Sequence, residues 1–157
     1  MSRTYRIRKS QLLPVSLDAA WDFFSDPSNL RRITPPQMGF TVTSEPHQGR
    51  IYAGQIIEYR LKPVLGIPVY WMTEITRVEQ GRMFIDEQRF GPYSFWHHQH
   101  HFEQQGNGTL MTDIVHYRIP LGWLGDIANS LFVQRQLEGL FRFRTSAVDK
   151  LFGNNGA

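Results

Sequence analysis

The segment FWHHQHHF, residues 95–102, places four histidines within five residues of a chain that contains six histidines in all. An imidazole can transfer protons, bind a transition metal or hydrogen bond to a carboxylate near neutral pH. Because successive residues of a strand face opposite sides, His98 and His100 share one face, whereas His97 and His101 share the other. The chemistry open to these histidines therefore depends on which face points into the protein.

The more apolar face of this strand is predicted to point inward. Trp96 and Phe102 lie on the same face as His98 and His100, whereas the opposite face carries only Phe95. We therefore expect the pair His98 and His100 to look into the interior and the other two histidines to look at solvent.

The neighbouring strands add further polar groups to the same predicted face. Alternation places Asp113 and Tyr117 inward after the histidines, and Asp86 and Gln88 inward before them. A buried carboxylate without a donor costs a few kcal/mol, and an adjacent imidazole supplies that donor. The cluster therefore has three open interpretations: a hydrogen-bonded network that fixes strand register, the polar end of a ligand pocket, or an acid–base centre. Its predicted members are Asp86, Gln88, His98, His100, Asp113 and Tyr117.

Large apolar side chains are predicted to surround this cluster. Trp71 and Phe84 fall on the inner faces of their strands by the same alternation, as Trp96 does. Phe141 lies on the apolar stripe of a helical pattern near the end of the chain. We expect these four side chains to form the apolar wall of a binding site.

Other kinds of chemistry have weaker support. The H-x-H pair has a spacing seen in zinc sites, with Asp113 as a third ligand, but no second histidine pair or H-E-x-x-H motif accompanies it. We therefore predict no metal and no cofactor. The chain has no cysteine and no G-x-S-x-G motif, which excludes disulfides and thiolate catalysis and disfavours a serine triad. If the protein is an enzyme, we expect His98, His100, Asp113 and Tyr117 to act as general acids and bases.

The surrounding segments predict one long antiparallel meander with few helices. TYRIRKSQLL alternates like a strand, and PVSLDAAWDFFSD then has helical spacing with Ser16 as its N-cap. A second short helix follows from Pro27 to Ile33, with Asp26 as its N-cap. Six further strands are predicted, the first being GFTVTSEP closed by Pro46, and a long helix through Gly153 ends the pattern.

This order predicts an α+β helix-grip fold. A curved antiparallel sheet of about six to seven strands wraps around the long C-terminal helix, and the two short helices after the first strand close one end. One helix cannot fill such a sheet, so a cavity between them is expected. Two apolar segments, LKPVLGIPVYW and IPLGWLGDIANSLF, are interpreted as flaps at its mouth, with Trp123 and Leu124 exposed.

Several of these strings resemble the SRPBCC superfamily, also called START-like, birch-pollen-allergen-like or polyketide-cyclase-like. The strings are PVSLDAAWDFFSDPSNLRRITPP, WMTEITRVEQGRMFIDEQRFGPYSFWHHQHHFE and GTLMTDIVHYRIPLGWLG, and the resemblance covers Tyr5 to Phe152. It implies a deep apolar cavity that holds a hydrophobic, lipid- or polyketide-like molecule. It implies no single reaction, so a binding protein, a cyclase or dehydratase and an interaction module without a ligand stay open.

Composition bounds the remaining possibilities. The 157 residues carry a formal net charge of +3, and the basic clusters SRTYRIRK and RFR are short enough to be solvated surface. No nucleic-acid-binding motif, no apolar leader and no membrane-spanning run is present in the sequence. We predict one soluble cytoplasmic domain over residues 1–157, with no nucleic-acid partner, no stable membrane insertion and an open oligomeric state.

Overall fold

A computed structural model describes residues 3–45, 49–64 and 66–153 of the chain. Seven antiparallel strands form a single sheet in the order β1-β7-β6-β5-β4-β3-β2. The first and last strands pair with each other, so the meander curves back beside its own start. The strands are β1 Tyr5–Leu13, β2 Thr41–Val42, β3 Ile56–Val64, β4 Ile67–Glu79, β5 Met83–Phe90, β6 Phe95–Gln105 and β7 Gly108–Arg118.

Helices occupy two parts of the described chain. The first part follows β1, and the second follows β7 as one helical segment with a π-helical turn inside it. The long predicted helix against the sheet is thereby confirmed. The helices are α1 Leu17–Phe24, two 3-10 helices at Pro27–Ile33 and Pro36–Met38, α2 Gly122–Ala128, the π-helical turn Asn129–Val133, and α3 Gln134–Gly153.

The starts of the two short helices are fixed by local sequence. The Ser16 hydroxyl accepts a hydrogen bond from the Ala19 amide at 3.2 Å, and the Asp26 carboxylate accepts one from the Ser28 amide at 2.9 Å. These bonds satisfy amide groups that a helix start leaves without partners. Both predicted N-caps are confirmed, although the second helix is a 3-10 helix.

The register of three central strands brings the polar residues together. His98 on β6 pairs with Asp86 on β5 and with Val115 on β7. His100, one step further along the same face, pairs with Asp113 on β7. The predicted hairpin between β6 and β7 holds this register, because its turn is Gly106–Asn107 and Gly106 has a φ of 60°.

Two apolar clusters fill the ends of the concave face. In one, Trp21 of α1 meets Phe84 and Phe102 edge to face, at ring-centroid distances of 6.0 and 5.6 Å. In the other, Trp71 and Trp96 pack against Phe141 of α3 and other buried side chains. The space between the clusters contains the polar residues.

The predicted flaps are regular structure rather than loops. β3 reaches Val64 and β4 begins at Ile67, so the first flap is a tight hairpin, whose Leu65 lies outside the described residues. The second flap is mostly helical, formed by α2 and the π-helical turn. Gly125 allows α2 to pack closely on the preceding turn, since a Cβ there would lie 2.1 Å from the Pro120 carbonyl oxygen.

Two features at the edges of the sheet differ from what the sequence pattern predicts. GFTVTSEP forms only the short strand Thr41–Val42, and Pro46, expected to close it, lies outside the described residues. Strict alternation along β5 would place Phe90 inward with Phe84, but Phe90 is 63% exposed and packs on Tyr70. The reason is a register shift between β4 and β5: Gln88 pairs with Thr73, but Phe90 pairs with Met72 on the other face, so the alternation is reversed at the end of β5.

No helix in the described ranges is long and apolar enough to cross a membrane.

Candidate ligand cavity

A cavity of about 290 Å³ lies between the concave face of the sheet and α3. Its wall is mostly apolar. The four side chains predicted to form this wall, Trp71, Phe84, Trp96 and Phe141, all line it. Leu137 and Leu140 of α3 add to the apolar wall on the helix side.

One place on the wall is strongly polar. His98 and His100 are 7% and 4% exposed and point inward, as alternation predicted. Their ring centroids are 3.8 Å apart. Asp86 lines the cavity beside them, with its Oδ2 at 2.7 Å from His100 Nε2 and 3.5 Å from His98 Nδ1.

Asp113 lies behind the two imidazoles rather than on the wall. Its Oδ1 is 2.8 Å from His98 Nε2, which makes a hydrogen bond, and 3.0 Å from His100 Nδ1. Each imidazole therefore has one ring nitrogen near Asp113 and the other near Asp86. We call Asp86, His98, His100, Asp113 and Arg144 the polar cluster.

Arg144 is the member that sequence reasoning missed. Its guanidinium lies 3.5 Å from Asp113 Oδ1, and its side chain is 12% exposed, whereas the RFR run was interpreted as solvated surface. Leu137, Phe141 and Val148 are buried on α3, and position 144 falls on the same stripe at helical spacing. That spacing was the available signal.

Burial and neighbouring charges shift the pKa values of the titratable groups in the polar cluster. Burial alone would raise the pKa of Asp113, but the Arg144 guanidinium and the histidines hold it well below its usual range. Burial opposes ionisation of Asp86 too, but the two imidazoles outweigh it and lower the pKa of this carboxyl. Burial would also lower the pKa of His100, yet the neighbouring carboxylates of Asp113 and Asp86 raise it. Burial and the neighbouring His100 lower the pKa of His98. These shifts favour ionised carboxylates, a protonated His100 and an uncharged His98, with the Arg144 guanidinium beside Asp113.

Most of the chain matches the model of one protein family. A family model described as polyketide cyclase/dehydrase and lipid transport matches residues 13–142. The chain belongs to this family. Its membership places the chain in the SRPBCC superfamily and supports the binding of a hydrophobic ligand in general. No functionally curated protein shows a significant sequence match.

Solved structures share the fold of this polyketide cyclase/dehydrase and lipid transport family member. TTHA0849 from Thermus thermophilus aligns with a TM-score of 0.73 and 14% identity, over 98% of this chain and 100% of that chain. Ms6760 from Mycobacterium smegmatis aligns with a TM-score of 0.69 and 16% identity, over 96% of this chain and 92% of that chain. Ginseng major latex-like protein 151 from Panax ginseng aligns with a TM-score of 0.65 and 12% identity, over 95% of this chain and 97% of that chain. These similarities confirm the helix-grip fold.

Two predicted site residues have other partners in this family member. The Tyr117 hydroxyl donates to Asn129 Oδ1 at 2.9 Å, and the buried Asn129 begins the π-helical turn. Tyr117 pairs with Trp96, so Val115 separates it from the polar cluster. The Gln88 amide donates to the Tyr93 carbonyl at 2.6 Å and closes the turn after β5. Neither is among the described residues that line the cavity.

Tyr59 of β3 is a cavity residue that the sequence analysis did not single out. Burial raises the pKa of its phenol above the ordinary value, and the charge of Asp86 raises it further. Its ring stacks on Trp71 at a centroid distance of 6.0 Å. The buried residues Ile57 and Leu61 lie on the same face of β3, so alternation would have placed Tyr59 inward.

An exposed apolar surface adjoins the cavity at α2. The predicted exposure of Trp123 and Leu124 is confirmed, at 69% and 52%. Ile119 before this segment and Val133 at its end both line the cavity. The surface thus continues the apolar lining to the outside. Its members are Leu121, Trp123, Leu124, Ile127, Leu131 and Phe132.

Proposed function

We propose that the protein binds one small hydrophobic molecule with a neutral polar group directed at the polar cluster. The observation that carries this proposal is a hollow of about 290 Å³ with a mostly apolar wall and one compact set of charged side chains. Ligand pockets have this composition, with few polar groups that set orientation. The apolar contacts proposed for the ligand are Trp71, Phe84, Trp96 and Phe141.

The size and charge of the site narrow the class of ligand. Its volume is near the lower end of the roughly 300–1,000 Å³ typical of ligand pockets, which favours a compact molecule over a lipid with two chains. A carboxylate would add negative charge beside the Asp86 carboxylate on the cavity wall, and like charges repel at this distance. A carbonyl or hydroxyl can instead accept a hydrogen bond from the Arg144 guanidinium, which lines the cavity, without adding charge. We leave Gln88, Asp113 and Tyr117 out of the proposed contacts, because other residues bind their polar groups.

A pair of matched probe compounds tests this proposal. We expect 2-acetylnaphthalene to bind roughly tenfold or more tightly than 2-ethylnaphthalene, because its carbonyl gains a hydrogen bond to a charged donor, worth about 1.5–3 kcal/mol. Equilibrium dialysis measures both affinities. The variant Leu140→Trp, which fills the cavity from α3, should abolish binding of both.

Ser146→Trp is the matched control, since it adds the same side chain to an exposed position of α3. Equal affinity of the two compounds, or binding that survives Leu140→Trp, would contradict the proposal. Native mass spectrometry of freshly purified protein would then show whether a natural hydrophobic compound is retained.

Acid–base catalysis is a second candidate function. It is favoured by the hydrogen bond of 2.7 Å between His100 Nε2 and Asp86 Oδ2, because this pair lies on the cavity wall. A positioned histidine and carboxylate could move the protons of an aldol cyclisation or of a dehydration.

If this second candidate is correct, His100→Gln should lower turnover of a β-hydroxy ketone by at least about 100-fold. His101→Gln, on the opposite face of β6, should leave turnover unchanged. Turnover by His100→Gln at the rate of the native protein would refute catalysis by this pair while leaving ligand binding intact.

A further inference from the structure

Three potential metal ligands converge on the cavity wall. One carboxylate oxygen of Asp86 and one ring nitrogen each of His98 and His100 lie within 4.8 Å of one another. Asp86 Oδ2 is 3.5 Å from His98 Nδ1 and 2.7 Å from His100 Nε2. The ligands of a tetrahedral zinc ion, at bond lengths of about 2.0–2.2 Å, are roughly 3.3 Å apart. The two spacings to Asp86 bracket that value, so small side-chain shifts would bring the carboxylate and both imidazoles within reach of one ion.

Asp113 fixes one of the two imidazoles by a hydrogen bond and lies close to the other. A histidine that binds a metal usually donates its other ring N–H to a carboxylate, which fixes the ring and its tautomer. Here His98 Nε2 and His100 Nδ1 lie 2.8 and 3.0 Å from the same Asp113 oxygen. Their remaining nitrogens are the ones near Asp86. Arg144, at 3.5 Å, fixes Asp113 from the side of α3.

The site has an open side toward the cavity. Asp86, His98 and His100 line the hollow, and Asp113 does not. Three protein ligands with a free position are the arrangement of catalytic rather than structural zinc sites. Two imidazoles and one carboxylate suit Zn²⁺, Fe²⁺ or Co²⁺, whereas Ca²⁺ and Mg²⁺ prefer oxygen ligands alone.

We propose that Asp86, His98 and His100 form a site for a divalent transition metal such as Zn²⁺, with its open coordination positions facing the cavity. On binding, His100 Nε2 would release the proton that it shares with Asp86, and the carboxylate oxygen would become a ligand. The sequence analysis predicted no metal, and its weaker zinc alternative used Asp113 as the third ligand. In the structure, Asp86 is the carboxylate that lies with the two imidazoles as a potential third ligand. This site goes beyond the proposed ligand binding and does not require it.

Metal binding by untagged protein tests the proposal. After removal of metal with EDTA and dialysis against Zn²⁺, we expect elemental analysis to give one ion per chain. Co²⁺ should give visible absorption bands typical of a low-coordinate site. Asp86→Asn and His100→Ala should each weaken binding by more than about 100-fold, beyond the ~10–100-fold loss typical of an outer partner.

The double variant His97→Ala/His101→Ala is the matched control, because it removes two imidazoles from the other face of the same strand. It should retain one ion. A native protein free of Zn²⁺ after dialysis, retention of the ion in Asp86→Asn, or loss of the ion in the control would overturn the proposal. If His100→Ala does not fold, the proposal is tested instead by the near-isosteric variant Asp86→Asn and by the Co²⁺ spectrum of the native protein. Dialysis of 2-acetylnaphthalene with metal-free protein tests the proposed function separately.

Discussion

Replacing Asp113 with alanine is expected to lower the free energy of unfolding by about 3–5 kcal/mol, the usual cost of removing one partner from a buried ion pair. Asp113 is 7% exposed, and its Oδ1 lies within 3.5 Å of Arg144 and of both imidazoles of the polar cluster. Without this carboxylate, Arg144 and a charged His100 would face only Asp86. Urea denaturation, with the slope compared between variants, measures the loss.

Glu87→Ala is the matched control for this change. Glu87 also bonds to a histidine of β6, His97, at 3.0 Å, but on the outer face of the sheet, where both side chains are about a quarter exposed. Its removal should cost less than about 1 kcal/mol. Losses of similar size in the two variants would show that the polar cluster is not a buried, charge-coupled unit.

Trp21→Ala should be about as damaging, with an expected loss of about 3–5 kcal/mol. Trp21 is 2% exposed and contacts Phe84 and Phe102 edge to face at the closed end of the sheet. Alanine leaves a cavity there that the rigid strands cannot collapse to fill. Thermal or urea unfolding measures the change.

Trp123→Ala provides the comparison, because it removes the same side chain from a position that is 69% exposed. We expect a change within about 0.5 kcal/mol. If Trp123→Ala were as destabilising as Trp21→Ala, the exposed surface on α2 would have to be packed against something in solution.

Local signals predicted most of the fold. The caps at Ser16 and Asp26 and the turn at Gly106 depend on neighbouring residues only, so they are legible in the sequence. Alternation also fixes the face of a strand residue, which is why His98 and His100 were correctly placed inside.

Alternation does not give the position of a residue along the concave face. Asp113 and Tyr117 share a face of β7, but one contacts the imidazoles and the other contacts Asn129. Gln88 lies near the end of β5, where its amide closes a turn. These differences depend on the register between strands, which forms only when distant segments pair.

Arg144 shows a different limit of prediction from sequence. A lone basic residue on a helix is usually solvated, but the burial of Arg144 is decided by Asp113, which is distant in sequence.

The start of the C-terminal helical segment at Gly122 was missed because Gly and Pro near this point suggest a loop. Contact between Gly125 and the Pro120 carbonyl, a packing detail, favours the helix instead.

The positions of the four tryptophans have an optical consequence. Trp71 and Trp96 stand perpendicular to each other on the cavity wall, with ring centroids 5.2 Å apart. Trp21 is buried away from the cavity, whereas Trp123 is in water. An occupant that contacts the two indoles on the wall does not reach the other two, so the intrinsic fluorescence of the protein is expected to report occupancy with no added dye. Substituting phenylalanine for Trp123 would remove the solvent-exposed emission and leave a cleaner signal.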